Sequence, residues 1–339
     1  MNYIDQILSD HYGDLELAKF GMSRKWATLR LTPRFATSRH VVALIFAEGA
    51  DRPSLVVKVP RQPGDNASVR KEADVLLGLK SMGVGSGQGA PEVVGVLDID
   101  GQTVLIETAV GGDLLEPRLV VQDFARAVHA GVDFVAGLPC TRAVTENLGW
   151  YERTVSTPLA ALAALFPGET EVAALVDLTH EVLAPLRAEQ LPAVLEHGDL
   201  SYQNLFLQPD GRLQVVDWER SRLDGLPAHD LIFYLQYVGQ SREQALSSRH
   251  LQLRAFNNAF SAGGWALSSL AEHLSLRNVD PHLLPYLVVT TWARSAATLA
   301  YRLTAEATPG SGSGHLQAAV LADRDFWLWR HAVTSLTIR

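Results

Sequence analysis

The spacing of apolar residues changes character about a third of the way along this 339-residue chain, and that change limits the folds it can enter. Before it, short apolar runs alternate with turns. Residues 26–32, 40–47 and 54–59 read as strands, the third rich in valine. Residues 66–82 carry Val69, Ala73, Leu76, Leu77 and Leu79 at helical spacing and then run into glycines, which predicts a helix with a defined stop. Residues 93–97 and 103–107 predict a hairpin around the turn 98–101. The order β-β-β-α-β-β makes a small sheet with one helix. From Leu119 onward the spacing is mainly helical, over 120–136, 158–165, 171–189, 230–237, 242–262, 282–303 and 315–334. Only 193–218 returns to short β-like runs. The expected class is α+β, with a small sheet lobe at 1–108 and a larger helical lobe at 109–339.

Composition narrows the partners. With 47% hydrophobic and 19% charged residues the chain can bury a core and is not a disordered one. A net charge of -8 lacks the basic footprint that nucleic acid requires, so none is expected as a partner. Cys140 is the lone cysteine, which excludes an intrachain disulfide and suits a reducing compartment. Residues 283–301 are nearly uncharged, but Pro285 and Arg294 interrupt them, so a buried helix is expected and no membrane partner. The first residues are acidic and polar and lack a signal-peptide pattern; a cytoplasmic location is expected. Monomer and dimer both stay open. Lysine stops at Lys80, so a lysine that handles phosphate must lie before it.

The chemistry concentrates in H-G-D-L-S-Y-Q-N-L-F-L-Q-P-D-G-R-L-Q-V-V-D-W-E, His197 to Glu219. Asp199, Asn204 and Asp217 follow one another at gaps of five and thirteen. Pro209, Asp210 and Gly211 form a turn between two short apolar runs, which puts Asn204 and Asp217 at the outer ends of a hairpin. An amide oxygen and a carboxylate side by side suit Mg²⁺, which takes a few hard oxygens and completes its shell with phosphate oxygens and water. Asp199, on a loop, suits a proton acceptor that orients an attacking hydroxyl toward a γ-phosphate.

These residues resemble the aminoglycoside phosphotransferase and choline kinase-like family, a branch of the protein-kinase-like fold. The resemblance implies a two-lobed fold, Mg²⁺ and ATP, with Asp199 as catalytic base and Asn204 and Asp217 as metal ligands. His197 would brace the loop, Glu219 would reach the metal through water, and Asp230 would cap its helix and brace the loop. Only 12 residues separate Asp217 from Asp230, and there is no A-P-E, so a protein kinase with an activation segment is disfavoured. The resemblance also implies a strand lysine on the phosphates paired with a helix glutamate, which fits Lys58 and Glu72. The first hairpin loop lacks glycine; Thr37 and Ser38 there either donate to phosphate or form a plain polar turn. Backbone groups around Glu107 and Ala109 would hold the base, which leaves GTP open beside ATP.

The acceptor is expected to be a small polar molecule with a hydroxyl group, an antibiotic being one candidate. A metabolic kinase for choline, a sugar or an amino-acid-like acceptor is the alternative. A catalytically silent nucleotide-binding scaffold is the reading of another class, and the presence of Lys58, Glu72, Asp199, Asn204 and Asp217 together argues against it. Trp265, Trp292, Trp327 and Trp329 read mostly as core residues.

Overall fold

A computed structural model describes residues 2–31, 40–84, 89–306 and 313–337. In chain order it contains α1 (Tyr3–Asp10), β1 (Trp26–Leu31), β2 (His40–Ala47), β3 (Leu55–Pro60), α2 (Ala67–Ser81), β4 (Val93–Ile99), β5 (Gln102–Thr108) and β6 (Asp113–Leu114). Next come α3 (Pro117–Gln122), α4 (Phe124–Gly137), β7 (Cys140–Arg142), α5 (Thr157–Ala164), α6 (Thr170–Val182), α7 (Ala184–Arg187) and β8 (Ala193–Glu196). After them run β9 (Leu205–Leu207), β10 (Leu213–Val215), β11 (Arg222–Gly225), α8 (His229–Arg242), α9 (Arg249–Phe260) and α10 (Leu267–Leu276). The chain ends with α11 (Leu284–Glu306), α12 (Ser313–Ala322) and α13 (Arg324–Thr337). Backbone contacts divide it into two units, Met1–Leu114 with Asn204–Ser221, and Leu115–Gln203 with Arg222–Arg339.

The first unit is built on an antiparallel sheet of order β1-β2-β3-β5-β4. Its strand bounds fall within two residues of those expected from apolar alternation. Asp100 and Gly101 both have positive φ and close the β4–β5 hairpin, the geometry that matches strand twist. One sheet face buries Ala43, Ile45, Leu55, Val57, Val59, Val104 and Ile106. Ile4, Ile7 and Leu8 of α1 cover that face together with Leu15, Leu17 and Met22. The acidic N-terminal stretch is thus structural. Its apolar residues recur three and four apart, and the Asn2 side chain caps it by accepting from the Asp5 amide at 2.9 Å. The period of a strand then puts Val56 and Lys58 on the opposite face, and antiparallel pairing of Val56 with Glu107 puts Glu107 there too.

A second sheet of this unit, β10-β9-β6, comes from two distant parts of the sequence. The β9–β10 hairpin turns at Asp210, which accepts from the Arg212 amide at 3.0 Å. Its Val215 amide donates to the Gly89 carbonyl at 2.7 Å, which ties the hairpin to the N-terminal part of the unit.

In the second unit a small sheet, β11-β8-β7, holds β8 at its centre and buries it entirely. Helix α8 is buried from His229 to Ser241, and α4 approaches it so closely that a Cβ on Gly131 would overlap the Tyr234 ring. Three differences from the sequence reading have local causes. The helix expected over 120–136 breaks at Asp123, whose carboxylate caps α4 by accepting from the Arg126 amide at 3.0 Å. The one expected over 171–189 breaks at Leu183, ahead of Pro185. Helix α8 continues past Tyr237 to Arg242, because a helix buried all round shows no amphipathic period to follow. Trp292, Trp327 and Trp329 are core residues, whereas Trp265 is half-buried and meets Phe124 edge-on. No helix among the described residues is long and apolar enough to cross a membrane.

Candidate active site

Lys58 leaves the α2-facing side of the sheet and ends among carboxylates. Its Nζ lies 2.6 Å from Glu72 Oε1 on α2 and 3.1 Å from Glu107 Oε1 on β5. All three side chains are buried. Burial pulls the Lys58 ammonium down, but Glu107, Glu72 and Asp217 outweigh it and hold its pKa above the ordinary lysine value. Its two carboxylate partners shift in opposite directions. Burial pushes Glu72 up, yet the charge and hydrogen bond of Lys58, with a hydrogen bond from the Trp218 amide at 3.0 Å, bring it below its usual range. Glu107 has the longer contact with Lys58, and its Oε2 is buried with no hydrogen-bond partner among the described residues. Burial therefore prevails over Lys58, Glu72 adds like-charge repulsion, and Glu107 rises to about 7.

The Trp218 amide links this cluster to the hairpin. Asn204 and Asp217 flank the hairpin as the turn residues predicted, with the Val216 amide donating to the Asn204 carbonyl at 3.0 Å. Asp217 adopts φ 68 and ψ 66, a left-handed conformation uncommon outside glycine. Its Oδ1 is buried without a hydrogen-bond partner among the described residues. Glu219 follows two residues on, where burial and then the Asp217 and Glu72 charges raise it to about 7. His40 on β2 faces it at 4.0 Å, its own pKa lowered by burial and by Lys58. Among the described residues no group of three or more His, Cys, Asp or Glu is arranged to hold a metal ion. The donors present, one amide oxygen and one unmet carboxylate oxygen, fit a cation that takes the rest of its shell from phosphate and water.

Asp199 belongs to the second unit. Strand β8 delivers it on a loop pinned at its root. The Asp230 carboxylate accepts from the His197 amide at 2.6 Å and from the Gly198 amide at 2.9 Å. Asp230 therefore braces the loop and leaves its own helix uncapped. Burial, with repulsion from Glu196, raises it to about 7, while the two amides oppose the rise. His197 is fully buried, and its Nδ1 accepts from the Asp199 amide at 3.2 Å. Glu196, one residue before, takes a bidentate contact from Arg294 on α11 at 2.9 and 3.0 Å and accepts from the Leu226 amide at 3.0 Å. The chain passes it at Gly225, where a Cβ would meet the Glu196 side chain at 2.3 Å.

The sequence reading named neither Glu196 as a partner nor Arg294 as its counterion. A lone arginine in an apolar helix and a glutamate ending an apolar strand were the available signals. Arg324 was missed as well. Its guanidinium lies 5.0 Å from the Phe233 ring centroid and pairs with Asp325 at 2.7 Å. Burial lowers its pKa, but Asp325, Asp323 and Asp199 together raise it above the ordinary value. Thr37 and Ser38 lie outside the described residues. The Ala109 amide donates to the Ser54 carbonyl at 3.0 Å, so that donor is already engaged within the first unit.

The model of the phosphotransferase enzyme family, APH, matches residues 41–272, more than half of the chain. The chain belongs to this family. It is accordingly a small-molecule phosphotransferase of the kinase-like fold. Solved structures agree on the fold. A thermostable mutant of aminoglycoside phosphotransferase APH(4)-Ia, in ternary complex with AMP-PNP and hygromycin B, is 15% identical with a TM-score of 0.51, over 96% of this chain and 98% of that one. The ethanolamine kinase of Plasmodium vivax is 12% identical with a TM-score of 0.51, over 99% and 86%. The choline kinase LicA of Streptococcus pneumoniae is 12% identical with a TM-score of 0.50, over 97% and 100%. No curated protein sequence matches the chain. At such identities the structural likeness shows the phosphotransferase fold and leaves the acceptor undecided.

Proposed function

We propose that this phosphotransferase moves the γ-phosphate of Mg-ATP to a hydroxyl of a small polar molecule. The observation that carries the reading is the chain of contacts in the first unit, from Lys58 to Glu72 to the Trp218 amide, beside the strained and unmet Asp217. A left-handed aspartate with a buried bare oxygen costs stability, and such costs cluster where a ligand relieves them. Lys58 binds the phosphates and Glu72 holds it, while Asn204 and Asp217 hold Mg²⁺. An ion held by these two residues would supply charge neutralisation to the phosphates. Asp199 accepts the proton of the acceptor hydroxyl and aligns it for attack. Thr37 and Ser38 contact phosphate, and backbone around Glu107 and Ala109 holds the base, with GTP as a competing nucleotide.

On this reading residues 1–108 bind nucleotide and 109–339 supply the catalytic loop, the metal ligands and the acceptor helices. The hairpin 204–221 is packed with the first unit. A cytoplasmic location follows from the need for ATP.

The acceptor is tested by an ADP-release screen over aminoglycosides and other hydroxylated antibiotics, choline, ethanolamine and sugars. An antibiotic that stimulates ADP release supports a resistance enzyme; choline, ethanolamine or a sugar alone makes it a metabolic kinase. For the residue roles, Asp199→Asn is expected to keep the rise in melting temperature caused by Mg-ATP and to lose transfer by about 10²–10⁴-fold. Wild-type transfer in that variant removes Asp199 as the base. No ADP release with any acceptor and no thermal shift with Mg-ATP would leave the silent scaffold as the reading.

A further inference from the structure

Lys58 meets one carboxylate more than its charge requires. Glu72 Oε1 at 2.6 Å already forms a hydrogen-bonded ion pair with it, and the Trp218 amide adds to that arrangement. Glu107 Oε1 at 3.1 Å is a second anion on the same ammonium. Two buried carboxylates against one buried cation leave a surplus negative charge in a poorly hydrated place, and the Asp217 charge acts on both Lys58 and Glu107. A glutamate that served packing alone would have its oxygens satisfied, whereas Glu107 Oε2 has no hydrogen-bond partner among the described residues.

We propose that Glu107 is a positioning residue that holds the Lys58 ammonium away from the nucleotide phosphates, so that nucleotide binding must release Lys58 from it. The inference rests on the proposed contact of Lys58 with phosphate. When polyphosphate arrives, its negative charge competes with Glu107 for the same ammonium. An ionised Glu107 opposes entry by repulsion; a Glu107 that has taken up a proton does not. The groups around it are Lys58 on β3, Glu72 on α2 and Asp217 after β10, with His40 on β2 and Glu219 close to those three. Burial of Glu107, opposed by Lys58 and reinforced by Glu72, raises it to about 7, so this uptake occurs near neutral pH. The sign follows: nucleotide affinity falls as pH rises through that value.

The test is the dissociation constant of Mg-ATP for the full chain, wild type and Glu107→Gln, at about pH 6 and about pH 8. Ionisation of the nucleotide is common to both proteins and drops out of the comparison. Glu107→Gln is expected to bind on the order of ten-fold more tightly than wild type at the higher pH and about equally at the lower. KM for ATP should fall, a direction that loss of a purely structural contact does not produce. Equal or weaker binding by Glu107→Gln at the higher pH overturns the inference and leaves the phosphotransferase reading intact. Absence of Mg-ATP binding by the wild type overturns both. A measurement on the wild type alone guards against a variant that does not fold. Calorimetry in buffers of different ionisation enthalpy should register net proton uptake on Mg-ATP binding at about pH 8, and none there overturns the inference.

Discussion

Asp217 combines a backbone angle that disfavours most residues with a buried carboxylate oxygen that has no hydrogen-bond partner among the described residues. Aspartate and asparagine tolerate the left-handed region better than other residues with a Cβ, so the position can change charge without changing shape. Asp217→Asn is therefore expected to keep nucleotide-free stability within about 1 kcal/mol of wild type, because it replaces a half-buried carboxylate by a neutral group of the same shape and retains the turn. The same variant should lose the thermal stabilisation caused by Mg-ATP. Denaturant titration with and without Mg-ATP checks both halves, and full stabilisation by Mg-ATP in the variant removes Asp217 from the metal site. Lys58 shows the limit of reading residues singly. Its strand position was legible from alternation, but its pairing with Glu72 was reached only through the family resemblance, because a strand lysine by itself reads as an ordinary solvent-facing residue. Glu107 as a second partner was not legible, because strand pairing, and not sequence spacing, puts it beside Lys58.

At the scale of elements, β8 and α11 are coupled through one buried ion pair. Glu196 is charged in a fully buried strand because Arg294 reaches it from a helix 98 residues away. Burial alone would raise Glu196, but Arg294 and then His229 bring it down to about 2. A carboxylate whose folded pKa lies below its unfolded value stabilises the fold above the unfolded value and loses that contribution as pH falls. The window here runs from 4.5 to about 2. Arg294→Met is expected to destabilise the protein by about 3–5 kcal/mol, since it strands the carboxylate. Adding Glu196→Gln should recover much of that loss. Equilibrium unfolding of both variants gives the coupling energy, and additive losses would mean that the pair does not act as a unit. The sequence anticipated the strand and the helix but not this bond, because each half presents only a charge in an apolar run.

For the whole molecule the informative fact is that the first unit is discontinuous. Residues 1–114 lack β9 as partner for β6, the Val215 amide for the Gly89 carbonyl, and the buried Trp218 that meets Glu72. A polypeptide of residues 1–114 alone is expected not to unfold cooperatively. The same polypeptide joined to 204–221 by a flexible linker should regain a cooperative transition with a larger denaturant slope. Equal transitions in the two would mean that the hairpin contributes nothing to the unit. The family and the order of elements were readable from local signals: strand alternation over 40–60, the helix that opens at Ala67, the turn at Asp210 and Gly211, and the gaps of five and thirteen between Asp199, Asn204 and Asp217.

Those signals are determined by neighbours a few residues apart, through backbone preference, turn geometry and the burial of one face. The sequence by itself therefore determined the α+β order, the hairpin that flanks Asn204 and Asp217, and the family. Only the tertiary structure decided that Asp230 braces His197 and Gly198, that Arg294 neutralises Glu196, and that Glu107 shares Lys58. Each of these joins groups more than thirty residues apart whose burial demands a partner without specifying which. Packing selects the partner, and packing is a property of the assembled units.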